Sequence, residues 1–257
     1  MTVLRRLPAA FSSALLAGLL AAVAGIAAPP LRAAPASAAQ LQALEAALNS
    51  PAAGSLDAVL HAGKGLDPVR LEARRSKLRQ QFPDLTWKVI PAAPLQNGQP
   101  TVTVKVSGTR RDGAIIYRLD AEQQLVLESH GSQIDGQTVL RERSLLRSGE
   151  QSPAVSVLIP DAVLTGQRYD VDVIFDDPLN GAITAGGIVA LTPQQVAEME
   201  SPSMELGALG GGGLFKTVQA PLSPGAQTWA VLLVHPKGII SATKRVRVVA
   251  DKAELNP

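Results

Sequence analysis

Residues 155–175 read VSVLIPDAVLTGQRYDVDVIF, and the alternation within this stretch decides how the rest of the chain is divided. Successive side chains of a strand point to opposite faces, so Tyr169, Val171, Val173 and Phe175 make one apolar face, while Asp170 and Asp172 make the other largely acidic. The period predicts a half-buried antiparallel strand. Before it, Val155, Val157 and Ile159 alternate with Ser156 and Leu158 as a second strand. Between the two, Pro160 removes a backbone donor and Gly166 tolerates positive φ, so the chain turns there. Strands joined in this way open a sandwich sheet. Everything after the stretch reads as sheet; everything before it reads as a leader and a mixed helical and β unit.

Downstream, strands are expected over 154–159, 168–175, 183–191, 215–220, 229–235 and 239–249. Val231 and Leu233 face one way and Leu232 and Val234 the other, so the strand holding Trp229, the expected core aromatic, should be central. Thr192, Pro193 and Gln195 form a capping signal, predicting a short helix over 193–200. The glycine-rich segment 207–213 leads into Leu214 and Phe215 rather than the Lys-Ser/Thr of a phosphate-cradling loop, and is read as a flexible loop.

Upstream, Leu41, Leu44 and Leu48 recur at helical spacing, and Ser55 is a plausible cap for a short helix reaching His61. Asp67 and Pro68 mark the start of a longer helix with a buried stripe of Leu71, Leu78 and Phe82, ended by Pro83. Its other side carries Arg74, Arg75, Lys77 and Arg79, expected to be a solvated face. The period then changes to two. Strands are expected over 86–90, around Val102, Val104 and Val106, over 114–128 and over 134–147. Asn97-Gly98, Asp112-Gly113 and Asp135-Gly136 are placed at the turns.

Residues 1–38 have the plan of a secretory signal: Arg5 and Arg6, an apolar run over 9–28, and small residues at Ala36-Ser37-Ala38. Cleavage is expected before Ala39, with the site before Gln40 as a rival and an uncleaved membrane anchor as the alternative. The whole chain has formal net charge +2, but three of its 24 basic residues lie in the leader. The remainder holds 21 against 22 acidic residues, a net charge of −1. A nucleic-acid role therefore lacks electrostatic footing. The absence of cysteine excludes disulfides, thiolate metal sites and a cysteine nucleophile.

The order of a helix and then four meandering strands over 39–149 resembles the cystatin-like and ketosteroid-isomerase-like cone folds. The strand pattern over 150–250 resembles immunoglobulin-like or fibronectin-type modules, and residues 251–257 form a tail. Together these resemble exported bacterial two-domain proteins. The fold class expected is thus an α+β first domain, with helices and then a four-stranded antiparallel meander, followed by an all-β immunoglobulin-like sandwich.

A cone-fold enzyme implies an acid or histidine in an apolar pocket, for which His61, Asp120 and His130 are the available candidates. A cystatin-like inhibitor implies a Q-x-V-x-G hairpin; Gln137-Thr138-Val139 begins one, but Arg141 stands where the glycine belongs. Asp170, Asp172, Asp176 and Asp177 offer oxygens to a hard cation, yet they lack calcium-loop spacing and read as a solvent face that discourages edge pairing. Ser241-Ala242-Thr243-Lys244 matches S-x-x-K without its partner motifs. No catalytic, cofactor-binding or metal-binding residue is assigned. The chain is expected to be an exported, non-catalytic binding or structural protein of the cell envelope, in the periplasm or another extracytoplasmic compartment. Its expected partner is a protein or a small apolar ligand, with membrane contact only through an uncleaved leader. The alternative is a small-molecule-binding protein, or an isomerase- or hydrolase-type enzyme, using a pocket in the first domain.

Overall fold

The computed structural model describes residues 34–149 and 152–257; most of the expected leader lies outside them. The chain is mostly antiparallel sheet with few helices. In order it forms β1 (Ala34–Pro35), α1 (Ala38–Asn49), α2 (Pro68–Gln81), β2 (Thr86–Ala92), β3 (Thr101–Asp112), β4 (Ile115–His130) and β5 (Gln133–Ser148). Then come β6 (Val155–Leu158), β7 (Ala162–Leu164), β8 (Arg168–Phe175), β9 (Ala185–Leu191), α3 (Pro193–Glu198), β10 (Gly207–Ala208), β11 (Gly213–Gln219), β12 (Gly225–His235) and β13 (Gly238–Val249). One sheet has ten strands, with β10-β9-β12-β13-β5-β4-β3-β2 as its path and β1 and β7 joined to β4 and β13. A second sheet is ordered β11-β8-β6.

The large sheet runs through both halves of the sequence, because Glu142–Arg147 of β5 pairs with Ile240–Arg245 of β13. Trp229 is buried, and its strand β12 lies between β9 and β13, so the apolar run on both its sides has neighbours on both. Two layers cover the large sheet, and they lie on opposite faces. On one face α1 and α2 bury Leu41, Leu44, Leu48, Leu78 and Phe82 against Trp87, Val104, Val106, Leu119 and Leu127. On the other, the three-stranded sheet buries Tyr169, Val171, Val173 and Phe175 against Trp229, Val231, Leu233, Ala242, Val246 and Val248 of β12 and β13. Trp229 Nε1 donates to the Tyr169 hydroxyl at 2.9 Å, which donates to Gln227 Oε1 at 2.6 Å, so the sheets are pinned by a satisfied polar chain. Burial raises the Tyr169 phenol above its ordinary pKa.

Strand edges explain several departures from the sequence reading. Beyond β13, the free edge of β5 is closed by residues 59–64: Ile134 N donates to Val59 O, His61 N to Ile134 O, and Gln137 N to Lys64 O. Residues 53–59 are therefore turns that lead to the contact with β5, not the expected helix from Ser55. Gly63 permits this approach, since a Cβ there would stand 1.8 Å from Asp135 O. Arg245 and Arg247 then donate to Val139 O and Leu140 O, completing the same edge.

Asp135-Gly136 lies inside β5 rather than at a turn. The β4–β5 turn falls at Gly131, with φ of 59°, and a register shift follows Glu128. The expected loop 207–213 contributes β10 and the first residue of β11. The helix expected over 193–200 stops at Glu198, where Met199 turns left-handed (φ 54°) and is buried in the first core.

The residues just before the expected cleavage site are part of the fold. Ala34 and Pro35 pair with Ser129 and Glu128 of β4, and Ala36 N donates to Leu127 O. Ser37 caps α1 in a capping box with Gln40. Cleavage before Ala39 would remove both β1 and this cap.

Candidate functional site

The three-stranded sheet covers the β9-β12-β13 part of its face of the large sheet and leaves the β2–β5 part bare. An open groove of about 850 Å³ occupies this bare face, walled on one side by all four residues of β6. Its floor follows from strand register. Lys88 pairs with Lys105, Lys105 with Glu122, Glu122 with Arg143, and Arg143 with Lys244, so five charged side chains form one row across β2, β3, β4, β5 and β13. Arg141, Arg147 and Asp120 flank that row, and Asp161, between β6 and β7, closes one end.

Six basic side chains thus face three acidic ones. Arg143 pairs with Glu122 at 3.3 Å and Arg147 with Asp120 at 2.5 Å; Asp161 is shared by Arg141, at 3.0 Å, and Lys244. Lys88 and Lys105 are exposed, and no ion pair to them is found among the described residues. Glu142 alternates onto the opposite face and is buried, so it does not offset this charge. The sheet ladder consumes the backbone acceptors beneath these cations, leaving their outward donors to solvent or to an anion. Hydropathy alternation marks β3 to β5 as half-exposed, but no sequence signal says which half of the sheet the later strands leave open.

The face expected to be a basic solvated surface is built otherwise. Arg75 of α2 is buried, and its guanidinium donates to Ser50 O, Ala47 O and Ala52 O and bidentately to Glu72. All five of its donors are used. The hydrogen bonds from Arg75 hold the Glu72 carboxyl below the ordinary glutamate pKa, against the opposing effect of burial. Arg79 donates to Leu48 O, Arg74 to Val196 O and Lys77 to Glu198 O. These cations therefore cap the carbonyl ends of α1 and α3, where helices leave acceptors unpaired.

The candidate residues of a cone-type enzyme do not converge. His61 is exposed in the loop on β5. His130 is exposed at the end of β4 beside Asp135, and Asp120 faces the groove in its pair with Arg147. The helix-covered face of the large sheet, where a cone enzyme would place its pocket, holds Leu44, Leu48, Leu78, Phe82, Trp87 and Leu119, all buried. Gln137, Thr138 and Val139 lie within β5, not at a hairpin tip. Ser241 and Lys244, three apart on β13, point to opposite faces, so the serine and lysine of S-x-x-K cannot meet. Asp170 accepts from Thr217 Oγ1 and Asp172 from Lys216 N, tying these acids to β11.

Residues 150–249, from just before β6 to the end of β13, match the model of a family described as a domain of unknown function (DUF8623). No curated protein matches the chain.

Proposed function

We propose that this chain is an exported, non-catalytic binding protein of the cell envelope, and that its ligand is an anion held on the bare face of the large sheet. The finer fold proposed with it is a cone-like α+β first part, joined through β5 and β13 to an immunoglobulin-like sandwich. The observation that carries the reading is the groove floor, where six cations face three acids and, among the described residues, neither Lys88 nor Lys105 makes an ion pair. Complementary charge of this kind raises association rates and selects the sign of a partner, and it acts within roughly 8 Å at physiological salt. The reading requires no reaction centre, and the helix-covered face of the large sheet is occupied by its own core. Export rests on the leader at residues 1–38.

The test is titration of the purified chain with hexaglutamate, followed by amide chemical shifts. Perturbations should cluster on β3, β5 and β6, weaken as salt rises, and disappear in the double variant Lys105→Glu, Arg143→Glu. Shifts scattered over the surface, or unchanged in that variant, would defeat the assignment. N-terminal sequencing of the product from an expressing cell's envelope tests export, and an intact Met1 would contradict a cleaved leader.

A further inference from the structure

The wall of the groove carries a feature that charge alone does not explain. Asp176 N donates to Ala154 O, which makes 154 and 176 a hydrogen-bonded antiparallel pair. Bonded and non-bonded pairs alternate along such a ladder, so Ser156 and Leu158 bond to Ile174 and Asp172. Val155 and Val157 therefore turn their N–H and C=O groups away from β8. β6 ends its sheet, and among the described residues no strand pairs with that side.

The opposite edge of the molecule shows how this chain closes an edge it does not use. On β2, Trp87 N donates to Asn49 Oδ1 and Trp87 O accepts from Asn49 Nδ2. Val89 N donates to Glu45 Oε2, and Pro91 has no donor to offer. Among the described residues no such seal lies on β6. Its open edge overlooks the charged floor instead, with Leu158 exposed at its end and Arg143, Lys105 and Lys88 receding across the sheet.

We infer that β6 is a strand-addition site, and that the occupant of the groove is an extended acidic polypeptide segment. This rests on the anion-binding reading and narrows it. The segment's backbone pairs with Val155 and Val157, while alternate side chains, those turned toward the floor, present carboxylates to the floor cations nearest β6, Arg143 and then Lys105. A sulfated polysaccharide satisfies the charge but offers no ladder of N–H and C=O groups at strand spacing, so the open edge selects a polypeptide.

The experiment uses three probes on the full folded chain. They are a capped peptide alternating glutamate with valine and threonine, the same peptide N-methylated at alternate residues, and a heparin-derived hexasaccharide. Affinities are read by calorimetry. The peptide should bind at least tenfold more tightly than its N-methylated form, which keeps the charge and loses the donors. Val157→Pro should cost the peptide a similar factor and leave the hexasaccharide unaffected. Residue 157 donates nothing to β8, so this variant should keep its fold, as far-ultraviolet circular dichroism would show. Because the N-methylated probe leaves the protein intact, the inference stays testable even if that variant misfolds. Equal binding of both peptides, or of the peptide to Val157→Pro, overturns strand addition and leaves an anion site. Tighter binding of the hexasaccharide than of the peptide does the same. Failure of every probe removes the anion-binding reading as well.

Discussion

Two basic surfaces, on α2 and on the bare sheet face, use the same side chains to opposite ends. On α2, Arg74, Arg75, Lys77 and Arg79 each reach a backbone carbonyl at the end of another helix. On the sheet, Lys88, Lys105, Arg141 and Arg143 find only carboxylates or solvent. The difference lies in the backbone beneath. The last turn of a helix leaves four carbonyls without partners, and its dipole favours a cation there. A sheet interior spends every carbonyl in its ladder, so a cation standing on it has nothing local to cap. Cations at helix ends thus become structure, and cations on a sheet face stay available to a ligand.

The sharpest way to break this contrast is to remove the clamp. Arg75→Ala deletes five donors, strands the carbonyls of Ser50 and Ala52, and leaves Glu72 half-buried without its cation. Losing one partner of such a pair costs about 3–5 kcal/mol, and urea denaturation should show a loss of that size. A loss under about 1 kcal/mol would mean that α2's arginines are decoration after all. Arg75→Lys sharpens the same point. Lysine keeps the charge but has three donors on one atom, and it cannot hold Glu72 bidentately while reaching three carbonyls. A loss of about 1–3 kcal/mol is expected, the cost of buried acceptors left unpaired.

Acid separates the carboxylate's part. Arg75 lowers the Glu72 pKa in the folded chain, so the stability this group contributes is present above its unfolded value, about 4.3, and is lost as pH falls through the folded value below that. Stability should therefore decline from near pH 4.3 downward, and Glu72→Gln should decline less over the same interval. Parallel curves for the two proteins would show that the pair is not linked to folding.

Much of the secondary structure was legible in the sequence because its signals are local. Asp67 and Pro68 cap and start α2, and the alternation at Tyr169, Val171, Val173 and Phe175 marks β8. Where the reading departed, the deciding partner lay far along the chain. Arg75 looked like a solvent residue because Ser50 and Ala52, which bury it, stand more than 20 positions away. Asp135-Gly136 has the composition of a hairpin turn, but Gly131 takes that turn and residues 59–64 hold Asp135 in a strand. β7 pairs parallel with β13 over only three residues, a contact within the large sheet that no period of two announces. The groove was hidden for a similar reason. Its cations are visible as the outer positions of β3 and β5, but their exposure depends on β6 ending its sheet where it does.

The smallest effect expected is on stability at the groove, and it completes the contrast. Lys88→Gln and Lys105→Gln remove two exposed charges from a face where the backbone is already satisfied. Neither contributes an ion pair among the described residues, so the double variant should keep its unfolding free energy within about 0.5 kcal/mol of the parent's, as surface substitutions away from special features usually do. Relief of the repulsion between these cross-strand neighbours even favours a slight gain. The same variant should lose several-fold in affinity for hexaglutamate, with a shallower dependence on salt. Two lysines that cost nothing to fold and much to bind would set the sheet face apart from α2, where removing one arginine costs several kcal/mol of stability. If the double variant instead lost stability like Arg75→Ala, the groove cations would be structural too, and the bare face would need another explanation.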